Sequence, residues 1–156
     1  MDDVQLLRRI AELGLELPPP PQALAAYVPV VIHGGSAWVS GQIPMVDGQV
    51  LNPGLLGAGV TVDEGANAAR RGALQALSAL REGLGGSLDR LELLTQLFVF
   101  VAASPDFIEH PKVANGASEM LVEILGEPGR HARAAVGVAS LPMGACVEVA
   151  LTAALI

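Results

Sequence analysis

The sequence predicts an α+β fold: a mixed β-sheet with two main helices packed on one face, preceded by a short N-terminal helix. Three observations carry this expectation. Apolar residues recur at helical spacing in residues 61–84 and 111–125. Five short apolar runs rich in branched residues read as strands, at 27–32, 37–40, 93–103, 134–138 and 146–151. The resulting order, strand-strand-helix-strand-helix-strand-strand, suits one sheet with its helices gathered on one side.

Taken in order, residues 2–14 form an apolar stripe of Val4, Leu6, Leu7, Ile10 and Leu13, with Gly14 as a stop. Leu17 and four consecutive prolines then read as a stiff connector, so residues 1–22 are a helix and proline-rich connector and 23–156 the α+β domain. A turn, His33-Gly34-Gly35-Ser36, separates the first two strands. Ser40-Gly41-Gln42-Ile43-Pro44 follows the second, where glycine permits close backbone approach and proline ends pairing. Asp47-Gly48 signals a hairpin, and residues 51–60 read as a glycine-rich loop. No phosphate-binding glycine motif is present.

Thr61-Val62-Asp63-Glu64 is a capping box that opens the long helix, and Gly85-Gly86 closes it. Residues 93–103 are the strongest strand in the chain. Ser104-Pro105-Asp106 reads as a helix start, interrupted by His110-Pro111, with the main second helix at 111–125. Two final strands flank Ser140-Leu141-Pro142-Met143-Gly144. At the entrance of the first of them stands Arg133, with alanine on both sides; it either reaches water or meets an anion.

At 156 residues the chain is long enough for one sizeable core, but 51% of it is hydrophobic and only 16% charged. Such a surplus points to burial against other copies of the chain, a homo-oligomer. The net charge is −7, and no basic stripe is visible, so no nucleic-acid partner is expected. The single cysteine, Cys146, excludes an internal disulfide and fits a reducing compartment. No apolar run approaches the ~20 residues that span a bilayer, and no signal run opens the chain. A cytoplasmic protein without a membrane partner is the expectation. The three histidines are scattered, so neither a metal nor another cofactor is expected. Trp38 reads as core or interface packing.

Several of these words together resemble the Rid family, also called YjgF/YER057c/UK114. They are Ser40-Gly41-Gln42-Ile43-Pro44, the strand at 98–101, Asp106-Phe107 with Asn115, Arg133, Val136 to Pro142, and Val147-Glu148-Val149. His131-Ala132-Arg133-Ala134-Ala135-Val136-Gly137 is similar to a longer branch labelled endoribonuclease L-PSP-like. The resemblance implies a chorismate-mutase-like fold and a homotrimer with clefts between subunits. It also implies deamination of 2-imino or enamino acids to 2-keto acids and ammonia. On that reading Arg133 is the catalytic residue that binds the carboxylate, with Gly41, Tyr27 and Asn115 as further substrate-binding residues.

The chain departs from the family pattern at Ala134 and Ala135, where serine and cysteine are usual. It departs again at Ala150, where active deaminases carry a second glutamate. Glu148 shares a face with Ala150 but lies about 6.7 Å away along the strand; a structural ion pair is its expected role. His131, in strand parity with Arg133, reads as an exposed loop histidine or as an acid/base group at the cleft mouth. The alternatives to the deaminase are a non-catalytic trimer that binds a small carboxylate and, with less support, a ribonuclease.

Overall fold

The computed structural model describes residues 2–22 and 26–156. Helix α1 (Asp3–Glu12) starts at an Asp2 cap and ends at Leu13, with Gly14 in the left-handed region at φ 68°. Only Leu6 and Ile10 of its stripe are buried; Val4 points to solvent. These two join the core formed by the rest of the chain, and Arg81 of the long helix grips Asp3 through two parallel bonds, Nε to Oδ1 at 2.9 Å and Nη2 to Oδ2 at 2.7 Å. The proline segment runs against the same helix, where Ser78 donates to the Pro18 carbonyl at 2.6 Å.

Strands β1 (Val30–His33) and β2 (Ser36–Gln42) pair antiparallel around the expected turn. Tyr27, expected in the first strand, lies in a bend before it, and Gly41 and Gln42, expected after the second, lie within it. The Asp47-Gly48 signal makes a two-residue hairpin between β3 (Met45–Val46) and β4 (Gln49–Val50), both turn residues having positive φ. Within the stretch read as a loop, β5 (Leu55–Leu56) and β6 (Gly59–Val60) form a small parallel pair.

The capping box opens helix α2 (Val62–Gly83) as expected: Glu64 N–H bonds Thr61 Oγ1 at 3.2 Å, and Thr61 N–H bonds Glu64 Oε2 at 2.8 Å. Strand β7 (Leu91–Ala102) follows. Ser104–Phe107 is then a turn, closed by a bond from Phe107 N–H to the Ser104 carbonyl, not a helix start. Helix α3 (His110–Leu125) begins later, with Pro111 in its first turn where no amide donor is needed. Strand β8 (Ala132–Val138), a short turn at Pro142–Gly144 and strand β9 (Val147–Leu155) complete the chain.

The main sheet runs β1-β2-β9-β7-β8. It is mixed: β8 lies parallel to β7, and the other neighbours are antiparallel. Helices α2 and α3 cover one face. There Val147, Val149, Leu151 and Ala153 alternate with residues that stay partly exposed on the other face, namely Glu148, Ala150, Thr152 and Ala154. Burying each large aliphatic side chain here contributes about 1.5–3 kcal/mol. The alanine-rich α2 lets α3 approach closely: a Cβ on Gly116 would fall 2.0 Å from the Ala66 carbonyl oxygen. Among the described residues no helix covers the other face of the sheet. Trp38 is 45% and Val136 46% exposed, and Phe98 and Phe100 stack there with centroids 6.3 Å apart. Trp38 is thus not a core residue of the single chain.

Among the described residues no helix is long and apolar enough to cross a membrane.

Gly116→Ala gains helix propensity of about 1 kcal/mol, yet it forces two helix backbones apart. The expected net result is a loss of about 1–3 kcal/mol, read as a lower denaturation midpoint. The Arg81 guanidinium holds the Asp3 carboxyl below its ordinary value, against the opposing effect of burial. A depressed carboxyl contributes stability that is present above its unfolded pKa and lost as pH falls through its folded one. Asp3→Asn is therefore expected to cost about 1.5 kcal/mol at neutral pH. The gap to the parent protein should close as the solution is acidified below about pH 4, as thermal melts across pH would record.

Candidate functional site

The residues singled out in the sequence fall into two groups on opposite faces of the sheet. The first surrounds Arg133. Parallel pairing sets Arg133 beside Leu97, whose side chain enters the core under the helices, so Arg133 also faces the helical side. There α3 presents Asn115 and Ser118, three residues apart on one face. Arg133 Nη1 donates to Asn115 Oδ1 at 2.8 Å and to Ser118 Oγ at 3.1 Å.

His131, two residues earlier, is half-buried and not a solvent-exposed loop residue. Its Nε2 meets Ser118 Oγ at 3.0 Å and its Nδ1 meets the Gly129 carbonyl at 2.6 Å. Burial pushes the imidazole below its ordinary pKa; the Gly129 bond opposes this, and the Arg133 charge adds to it. Ser118 was not visible as a site residue in the sequence, although its i+3 spacing from Asn115 marks it in retrospect.

The second group is built on β2 and β9. Between Val39 and Gln42 the β2–β9 register slips by one residue, a bulge that contains Gly41. The carboxyl of Glu148 fills the space that a side chain at Gly41 would need: an added Cβ would lie 2.1 Å from Glu148 Oε1. Ser40 holds the preceding segment close, its amide bonding the Pro29 carbonyl at 2.9 Å and its hydroxyl the Val28 carbonyl at 2.7 Å. Tyr27 is thereby brought to the same cavity. The far wall is fixed from α2, where Gln75 Oε1 accepts from the Met45 amide at 2.6 Å and Arg71 Nε donates to its carbonyl at 2.6 Å.

The cavity holds about 360 Å³ and is lined mainly by apolar groups, including Tyr27, Pro29, Ile43 and Met45. Pro21 and Gln22 of the N-terminal segment close one side, and Pro142 and Met143 another. Met143 has a left-handed backbone at φ 56°, uncommon for a residue with a side chain, and Gly144 follows at φ 71°.

Glu148 lines this cavity and makes no ion pair among the described residues, contrary to its expected structural role. Burial raises its carboxyl above the ordinary pKa, because the partly apolar surroundings disfavour the charged form. Ala150 shares its face and offers no second carboxylate.

The other reactive side chains lie elsewhere. Cys146 is fully buried, and burial pushes its thiol up to about 11, so it is not a nucleophile at neutral pH. His33 is exposed at the end of β1. His110 packs edge-on against Phe107 at 5.1 Å. Among the described residues no three His, Cys, Asp or Glu side chains converge as a metal ion would require.

Comparison with known proteins agrees with this architecture. A Trypanosoma cruzi protein called TCP17 is 48% identical over 141 residues, covering 90% of this chain and 88% of that one. The crystal structure of Atu1372 from Agrobacterium tumefaciens, a protein of unknown function, superposes with a TM-score of 0.93 at 41% identity, covering 99% of this chain and 94% of that one. A Shewanella oneidensis protein described as a "putative endoribonuclease" superposes with a TM-score of 0.91 at 38% identity, covering 96% and 99%. The family profile described as "YjgF/chorismate mutase-like, putative endoribonuclease" matches residues 7–155. The mixed sheet with its one-sided helices, the pattern around Arg133 and this match over nearly the whole length together assign the chain to the YjgF/chorismate mutase-like family.

Proposed function

We propose that the protein hydrolyses small 2-imino or enamino acids to 2-keto acids and ammonia in clefts between the subunits of a homotrimer. The observation that carries this reading is the separation of the two groups. Arg133 and Glu148 lie on opposite faces of one sheet, and no side-chain rotation within a single chain brings them together. Each is half of what the reaction needs. Arg133 is an exposed cation suited to a carboxylate. Glu148 is a desolvated carboxyl in an apolar cavity beside Gly41 and Tyr27. A neighbouring copy supplies the missing half. The uncovered apolar face around Trp38, Phe98, Phe100 and Val136 supports such an assembly, since its burial against copies of the chain removes it from water.

In this scheme Arg133 orients the substrate carboxylate and Asn115 steadies the arginine. Water adds to the imine carbon, and the C=N electron pair moves to nitrogen. Glu148 takes a proton from that water and delivers one to the nitrogen. Glu148 then takes the hydroxyl proton of the adduct and passes it to the amine nitrogen, so that the C–N bond breaks, ammonia leaves and the C=O bond of the keto acid forms. An imine carbon is already electrophilic, so orientation and proton transfer meet the chemical demand without a covalent nucleophile. The acidic chain has no basic stripe to hold an RNA backbone, so the deaminase reading is preferred to a nuclease one.

The test generates imines in situ from amino acids with an amino-acid oxidase and follows their decay. The wild type should accelerate it, Arg133→Ala should return it to the buffer rate, and Glu148→Gln should lower kcat more than it raises KM. Equal decay with wild type, Arg133→Ala and buffer, for imines of both small and branched amino acids, would reject the reading.

The assembly has its own measurement. Sedimentation should give a particle three chains in mass, and Val136→Glu, which sets a charge on the uncovered face, should shift it toward the single chain.

A further inference from the structure

We infer that Ser118 and His131 are positioning residues that turn one chosen edge of the Arg133 guanidinium toward the ligand. The inference rests on the reading of Arg133 as a carboxylate anchor. A carbonyl oxygen only accepts, so the bond from His131 Nδ1 to the Gly129 carbonyl at 2.6 Å fixes the proton on Nδ1. In the neutral ring Nε2 is then an acceptor, and Ser118, 3.0 Å away, donates its hydroxyl proton to it. With its proton committed, Ser118 Oγ turns a lone pair to Arg133 Nη1 at 3.1 Å. Nη1 has two hydrogens. The second goes to Asn115 Oδ1 at 2.8 Å.

Both donors of Nη1 are thus occupied by the protein, and every bond in the chain has one direction. What remains is the edge formed by Nε and Nη2, and among the described residues no side chain or carbonyl accepts from it. The same molecule demonstrates what that edge does: Arg81 uses its own Nε and Nη2 to hold both oxygens of Asp3, at 2.9 and 2.7 Å. Arg133 presents the equivalent fork, and among the described residues no carboxylate occupies it. Holding Nη1 from behind spares the ligand the entropy of ordering a long side chain, so affinity depends on residues that never touch it.

The experiment measures calorimetric affinity for 2-oxobutanoate as the probe, in the full-length protein, with thermal melts as a control for folding. Ser118→Ala and His131→Phe are each expected to weaken binding about tenfold, the loss of roughly one charge-assisted hydrogen bond. Ser118→Thr, which keeps the hydroxyl, should bind like the wild type.

In the Arg133→Ala background, Ser118→Ala should have no further effect, because its action passes through the guanidinium. A general structural role for Ser118 would instead weaken both backgrounds alike. Wild-type affinity in both Ser118→Ala and His131→Phe, with Arg133→Ala impaired, would overturn this inference alone. Unchanged affinity in Arg133→Ala, or no binding by the wild type, would overturn the anchor reading and this inference with it.

Discussion

The pairing of Leu97 with Arg133 across two parallel strands determines the character of the molecule. Parallel neighbours need a crossover, and α3 is that crossover, lying on the face where Leu97 is buried. The arginine is therefore delivered to the flank of α3, where Asn115 and Ser118 can reach it. A register slip of one residue would turn Arg133 to the helix-free face and place an alanine beside α3. The antiparallel strand β9, on the other side of β7, follows the opposite logic. Its core residues are Val147, Val149 and Leu151, so Glu148 goes to the uncovered side. Two adjacent pairings thus send the two charged groups to different faces.

Much of this was legible in the residues. The capping box at Thr61, the Asp47-Gly48 hairpin and the apolar runs of the five main strands are local signals, and local chemistry was enough to read them. The misreadings share a different cause. Ser104-Pro105-Asp106 has the chemistry of a helix start, but the chain must first turn away from β7, and the Phe107 amide closes on Ser104 instead. Tyr27 looks like strand because it precedes a valine-rich run, yet its neighbours Val28 and Pro29 are tethered to Ser40. His131 meets Ser118 of the preceding helix, thirteen residues earlier, and Glu148 fills the space beside Gly41, on a strand far earlier in the chain. No spacing near His131 announces a hydroxyl on α3, and no spacing near Glu148 announces the missing side chain of Gly41.

Gly41 and Gly116 solve similar problems in different places. At Gly116 the space freed by a hydrogen lets two helix backbones approach, which sets the spacing between α2 and α3 within the helical layer. At Gly41 the freed space admits a carboxyl group, held close to a bulged strand in apolar surroundings. Burial without a charged partner disfavours the ionised form of that group. The uncovered sheet face is costly for an isolated chain in the same way.

The N-terminal segment reaches beyond the core to the rim of the cavity. It is fastened to α2 at two points, the Asp3–Arg81 pair and the Ser78–Pro18 bond, and beyond them it supplies Pro21 and Gln22 to the wall of the cavity. The wall is therefore partly made from a stretch of chain that belongs to no strand of the sheet. Changes in the length or side chains of this stretch reshape the cavity while the pairing of β2, β7, β8 and β9 stays as it is. The shape of the cavity is thus separable from the scaffold that holds Arg133 and Glu148.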